Sequence, residues 1–165
     1  KRKPDVESEF KHISELIQRQ ARAEAKICCF SEEADSILMW SHYSSKHKGY
    51  CLKVDTEMAG LHGNLIKVKY SSGDRFPTFS VKNINKDDFN ISFGHKHRGW
   101  KYEKEWRIVC YIEELEYPRE AVTEVYLGYV SDLDLELELR KAFPNALFKK
   151  ASIAANSYKL NLVEI

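Results

Sequence analysis

The sequence has no apolar run long enough to span a bilayer, no real excess of charge of either sign, and no cysteine pair at a metal-binding spacing. Each of these absences excludes something. A transmembrane helix needs about 20 consecutive apolar residues, and the charged start Lys1-Arg2-Lys3-Pro4-Asp5 is not followed by the apolar core of a secretory signal. A soluble, cytoplasmic protein with no membrane partner is expected. Lys and Arg number 26 against 25 Asp and Glu, a formal net charge of +1, so no whole-chain field draws it to polyanions. A nucleic-acid partner is disfavoured on that ground, and it would need Lys46, Lys48, Lys67, Lys69, Lys96 and Arg98 to gather on one face. Cys28, Cys29, Cys51 and Cys110 contain no Cys-x-x-Cys pair, so buried, reduced thiols are expected. The pairs His42/His47 and His95/His97 lack a familiar ligand motif, and no metal site is expected. There is no repeat, no low-complexity linker and no initiating Met. The chain therefore reads as part of a longer protein that lacks an upstream segment.

At 165 residues the chain suits one folding unit burying roughly two-thirds of its unfolded surface. Residues 1–26 read as a long amphipathic helix, with Phe10, Ile13, Leu16 and Ile17 at helical spacing, and residues 27–165 as the main domain. Lys26 to Ser31 reads as a strand, Ala34 to Lys46 as a helix ended by Gly49, and Tyr50 to Asp55 as a second strand, a unit long enough for a parallel crossover. Leu65 to Tyr70 alternates as one half-buried strand, and Val122 to Gly128 is another. Ser131 to Phe143 has leucines at period two, yet its Leu and Glu content and a Ser131/Asp134 capping box favour a helix. Two strands, near Ala146 to Lys149 and Tyr158 to Val163, finish the chain. The class is α+β: a single domain with a mixed, mostly antiparallel sheet and flanking helices.

The densest chemistry lies in Trp100-Lys101-Tyr102-Glu103-Lys104-Glu105-Trp106-Arg107. Read as an extended strand, it places Tyr102, Lys104 and Trp106 on one face and Glu103, Glu105 and Arg107 on the other. Two carboxylates sharing a face are tolerated most easily around a cation or polar ligand. Two further blocks accompany it, Cys29-Phe30-Ser31-Glu32 and Leu38-Met39-Trp40-Ser41-His42-Tyr43 followed by His47 and Gly49.

With these three blocks in this order, the chain resembles a bacterial family known as domain-of-unknown-function family 2971, whose members show Cys-Phe-Ser, Met-Trp-x-His-Tyr with a following His and Gly, and Trp-x-Tyr-Glu-x-Glu-Trp-Arg. The resemblance runs from about Ile27 to Gly128 and implies no activity. In plan, the chain is also similar to ADP-ribosyltransferase-like domains, in which a strand bearing Ser leads through an aromatic helix to another strand and, later, to Glu-x-Glu. That similarity implies catalytic roles for two residues, with Glu105 holding the nicotinamide ribose hydroxyl and Glu103 orienting or deprotonating the acceptor. Ser31 would support the site, Tyr43 would stack on nicotinamide, and NAD would be the cofactor. The Arg or His with which those enzymes grip NAD from an early strand has no counterpart before Ile27.

The expected site thus comprises Glu105 and Glu103 as catalytic groups and Ser31, Trp40, His42, Tyr43 and Arg107 as substrate-binding groups. The competing reading is a non-catalytic protein- or ligand-binding module. In it Trp40 is core, His42 is hydrogen-bonded, and Arg107 pairs with a glutamate to fix strand register. Apart from NAD, the sequence names no partner and no oligomeric state.

Overall fold

The computed structural model describes residues 24–73, 93–111, 114 and 116–165. The expected amino-terminal helix lies, up to residue 23, outside the described residues. The α+β class holds, with the strands distributed over three sheets. Packing divides the chain into two compact units: Lys1–Phe30, Ile66–Lys101 and Glu105–Leu115 form the first, and Ser31–Leu65, Tyr102–Lys104 and Glu116–Ile165 form the second.

The second unit is built on a four-stranded sheet of β2 (Tyr50–Val54), β7 (Val122–Leu127), β8 (Leu147–Ile153) and β9 (Leu160–Glu164), in that spatial order. β2 runs antiparallel to β7, β7 parallel to β8, and β8 antiparallel to β9. Only the parallel step needs a crossover, and helix α2 (Leu133–Ala142) supplies it. Alternation along β7 sends its side chains to both faces. Val125 and Leu127 pack with Leu139 of α2 and Phe148 of β8, whereas Tyr126 packs with Trp40 of α1 (Ile37–Tyr43), Ala151 and Leu160. Each fully buried Val, Leu or Phe of these clusters contributes about 1.5–3 kcal/mol.

The period-two leucines do form a helix. Leu139 is buried, while Leu133 and Leu137, four residues apart, are exposed. Its cap is Asp132, whose side chain accepts from the Leu135 amide at 2.9 Å, in place of the expected Ser131/Asp134 box. Asp134 and Glu136 in the first turn and Arg140 and Lys141 in the last complement the helix dipole. The expected crossover from β1 (Lys26–Ser31) through α1 to β2 is not formed, because β2 takes β7 as its partner while β1 joins a different sheet.

In the first unit, β1, β6 (Glu105–Cys110) and β3 (Ile66–Lys67) form one sheet in the order β1-β6-β3, with β3 antiparallel to β6. A parallel ribbon of β4 (Lys69–Ser71) and β5 (His95–His97) accompanies it. The single strand expected over Leu65 to Tyr70 is therefore split at Val68, which is buried and donates its amide to the Glu105 carbonyl at 3.0 Å. The expected extended Trp100 segment is also interrupted. Arg98–Glu103 forms a 3-10 turn, Lys104 has φ of +43°, and only from Glu105 does the chain run as a strand.

A second departure from ordinary backbone follows α1, where Ser45, Lys46 and His47 have φ of 51°, 58° and 65°. Left-handed conformation costs roughly 1–2 kcal/mol per non-glycine residue, so the turn must be held from outside. The Trp40 carbonyl accepts the Ser44 hydroxyl and the Ser44 and His47 amides, and the Ser44 carbonyl accepts the Lys48 and Gly49 amides. From β7's end, Gly128 donates to the Gly49 carbonyl at 2.9 Å and Val130 donates to the His47 carbonyl at 3.2 Å. Gly128 allows this approach because a Cβ there would lie 2.0 Å from the His47 carbonyl oxygen. Gly128→Ala is therefore expected to lower the unfolding free energy by about 3 kcal/mol in urea titration. Gly63→Ala, whose Cβ would meet nothing within 4 Å, should change it by less than about 0.5 kcal/mol.

Candidate functional site

Glu105 opens β6 and is 5% exposed. A carboxylate so buried needs cations and donors around it. Arg107, two residues on along the same strand face, supplies a bidentate pair, Nε to Oε1 at 2.7 Å and Nη2 to Oε2 at 3.0 Å. Lys96 of β5 reaches Oε2 at 3.1 Å, and the Cys29 thiol of β1 also hydrogen-bonds the carboxylate. The rest of Arg107 is committed too, since Nη1 donates to the Phe93 carbonyl. The Glu105 amide donates to the Tyr70 hydroxyl of β4 at 2.9 Å. One residue thereby ties four strands of the first unit together.

These contacts shift the titrations in a consistent way. Burial pushes the Glu105 carboxyl up, but hydrogen bonds from Arg107, Cys29 and Lys96 outweigh it and hold the pKa at about 2. Cys29 is pushed up to about 12, by burial first and then by its bond to the Glu105 carboxylate, so it stays a thiol at neutral pH.

Glu103 belongs to the second unit, with Ser31 and Tyr43. It is 2% exposed, and its Oε1 accepts the Tyr43 hydroxyl of α1 at 2.7 Å. Ser31 donates its hydroxyl to the Glu103 carbonyl at 2.7 Å and accepts the Glu33 amide at 3.0 Å. The Glu32 amide donates to the Lys104 carbonyl, and Glu33 pairs with Lys104. Tyr43 itself is 62% exposed. A solvent-facing phenol on a buried carboxylate can bind a polar ligand or relay a proton.

The seven expected residues thus separate by role. Ser31, Tyr43 and Glu103 meet in the second unit, and Glu105 and Arg107 meet in the first. Glu103, expected on the same strand face as Glu105, instead ends the 3-10 turn, because the positive φ at Lys104 redirects the chain between them. Trp40 is 4% exposed in the core, and its indole N–H donates to the Ala34 carbonyl at 2.7 Å. His42 is exposed, edge-on to Tyr43 with ring centroids 6.3 Å apart.

Sequence reasoning did not assign Cys29, Tyr70 and Lys96 as partners of Glu105. Only Cys29, at the head of a motif block, carried a signal. His47 was likewise not placed. It is buried, stacks on Trp40 at 6.4 Å and packs on Tyr129 at 5.0 Å. The Ser41 hydroxyl spends its hydrogen on the Ile37 carbonyl, so His47 Nε2–H is the donor in their 3.0 Å contact. Nδ1 is left buried without a hydrogen-bond partner, and burial lowers the imidazole's pKa. Among the described residues, no group of three or more His, Cys, Asp and Glu could hold a metal ion, and no helix is long and apolar enough to cross a membrane.

An α+β protein with one buried ion cluster and one phenol–carboxylate pair is the class that fold and site define. No curated protein and no solved structure matches the chain. Residues 39–108 match the model of a family described as "Protein of unknown function (DUF2971)", the family that the motif blocks resemble. The matched stretch contains the Met39–Tyr43 block and the Trp100–Arg107 block, and so both Tyr43–Glu103 and Glu105–Arg107.

The Glu105 cluster makes a signed prediction for pH. A carboxyl held at about 2 when folded and near 4.3 when unfolded contributes stability that is complete above the unfolded value and lost as pH falls toward the folded one. Glu105→Gln is expected to lower the unfolding free energy by about 3 kcal/mol at pH 7, because it strands Arg107. Its stability should also fall less between pH 5 and 2 than that of the parent. Chemical denaturation across that range checks both.

Proposed function

We propose that this chain is a non-catalytic binding module of its family, with Glu105 and Arg107 serving as structure. The observation that carries this reading is that both Glu105 carboxylate oxygens are buried and bonded to Arg107, one of them also to Lys96. A carboxylate that stabilises a sugar cation must keep a face toward substrate. This one spends its acceptors inside the protein. The four cysteines are free, which supports the cytoplasmic setting expected from the sequence, but none is buried as expected: Cys28 and Cys29 are exposed on β1 and Cys51 and Cys110 are half-buried.

A second reading, ADP-ribosyl transfer from NAD, is favoured by one observation. Tyr43, exposed and aromatic, is bonded to the side-chain carboxylate of Glu103, the main-chain carbonyl of Glu103 accepts the Ser31 hydroxyl, and these are three of the residues that the enzyme plan assigns. In that reading Glu103 orients or deprotonates the acceptor and Tyr43 is the stacking platform for nicotinamide.

Calorimetric titration with NAD, together with an assay for nicotinamide release, separates the two. The module reading predicts no nicotinamide release by the parent protein, and loss of stability as the only effect of Glu105→Gln. Release abolished by Glu103→Gln or Glu105→Gln in a folded variant would overturn it.

A further inference from the structure

The left-handed turn after α1 is fastened to the rest of its unit through His47. The imidazole lies between two aromatics, stacked on Trp40 at 6.4 Å with 8° between the ring planes and tilted against Tyr129 at 5.0 Å. The His47 amide donates to the Trp40 carbonyl at 3.3 Å, and the His47 carbonyl accepts the Val130 amide at 3.2 Å. Left-handed backbone at Ser45, Lys46 and His47 works against these contacts. The closed turn is therefore a balance that a change at the ring can tip.

The ring in place is neutral. Nε2 donates its hydrogen to Ser41, and Nδ1, buried and without a partner, keeps a bare lone pair. An added proton would sit on Nδ1 as a buried donor with no acceptor, on a cation with no counter-charge. Among the described residues, α1 presents Trp40 and Ser41 to His47, the turn presents Ser44, and the segment after β7 presents Tyr129. Tyr129 is the one titratable side chain of these, and a phenol carries no charge in acid. Lys46 and Lys48, on either side of His47 in the chain, are exposed. The Ser131 hydroxyl, buried two residues beyond Tyr129, does not reach Nδ1, since both atoms lack a partner. Burial alone lowers the imidazole's pKa.

We propose that His47 is an acid-operated latch: a proton on Nδ1 expels the imidazole from between Trp40 and Tyr129, the turn opens, and the end of α1 releases Tyr43 from Glu103. Tyr43 is the last residue of α1, and its 2.7 Å bond to Glu103 needs that end held in place. The latch acts on the phenol–carboxylate pair under either functional reading. Closure favours the neutral ring, so its stability is complete above the ordinary imidazole value of about 6.5 and is lost as pH falls below it. The opening constant rises about ten-fold per pH unit until the closed form itself takes the proton.

Nuclear magnetic resonance of the full chain from about pH 8 down to about pH 4 tests this. Amide protection, taken relative to the unfolded chain at the same pH, should fall about ten-fold per pH unit at His47 and Val130. Protection at Val125 and Leu127 in the core should hold, and the Tyr43 ring signals should move in step with the turn. His47→Phe keeps an aromatic ring between Trp40 and Tyr129, and His47→Gln keeps a donor for Ser41. Neither takes a proton, so both should abolish the response, although His42, edge-on to Tyr43, is still present. Turn protection that holds while the His47 ring titrates, or a ring still neutral at the acid end, would overturn the proposal whether or not a variant folds. So would a response that survives in a folded variant, Tyr43 signals that follow His42 alone, or loss of protection at Leu127 in step with the turn.

Discussion

The buried Glu105 carboxylate organises the first unit. Short strands such as β3, with two residues, and β4 and β5, with three each, have too few ladder hydrogen bonds to define a register by themselves. Glu105 compensates by drawing Arg107 along its own strand, Lys96 from β5 and Cys29 from β1 onto one group, while its amide takes the Tyr70 hydroxyl from β4. Desolvation offsets much of the attraction in such a cluster, so its contribution lies more in specifying one arrangement than in raw stability. Removing Glu105 is nevertheless costly, because the half-buried Arg107 is left charged without its bidentate partner.

The second unit solves a different problem by different means. Its core is apolar on both faces of a four-stranded sheet, with α1 covering one face through Trp40 and α2 the other through Leu139. What needs explaining there is the left-handed turn after α1. Three consecutive non-glycine residues are held in costly backbone by the Trp40 carbonyl on one side and by Gly128 to Val130 on the other. The same turn buries His47 with one ring nitrogen unpartnered.

Much of this was legible in the residues. Val122 to Leu127, β2 and the two last strands follow from β-branched and aromatic content, and α2 follows from Leu and Glu propensity despite its period-two leucines. The pairing of Glu105 with Arg107 follows from the two-residue strand period. What was not legible depended on single backbone angles and on distant partners. Nothing in Lys104 announces φ of +43°, yet that one angle ends the turn holding Glu103 and starts the strand holding Glu105, assigning the two glutamates to different units. Nor could the chain tell that β1 and β2, adjacent in sequence and flanking a helix, would enter different sheets. A sum of charge over the whole sequence likewise carries no information about how opposite signs are partitioned between units.

The central claim is that Glu105 and Arg107 act on each other within the protein, as structure, and a double-mutant cycle on unfolding free energy tests it most directly. With Glu105→Gln, Arg107→Met and the double variant measured at pH 7, the account predicts a coupling of about 2–3 kcal/mol, the double variant being scarcely worse than either single one. A coupling near zero, with the two losses simply adding, would contradict it.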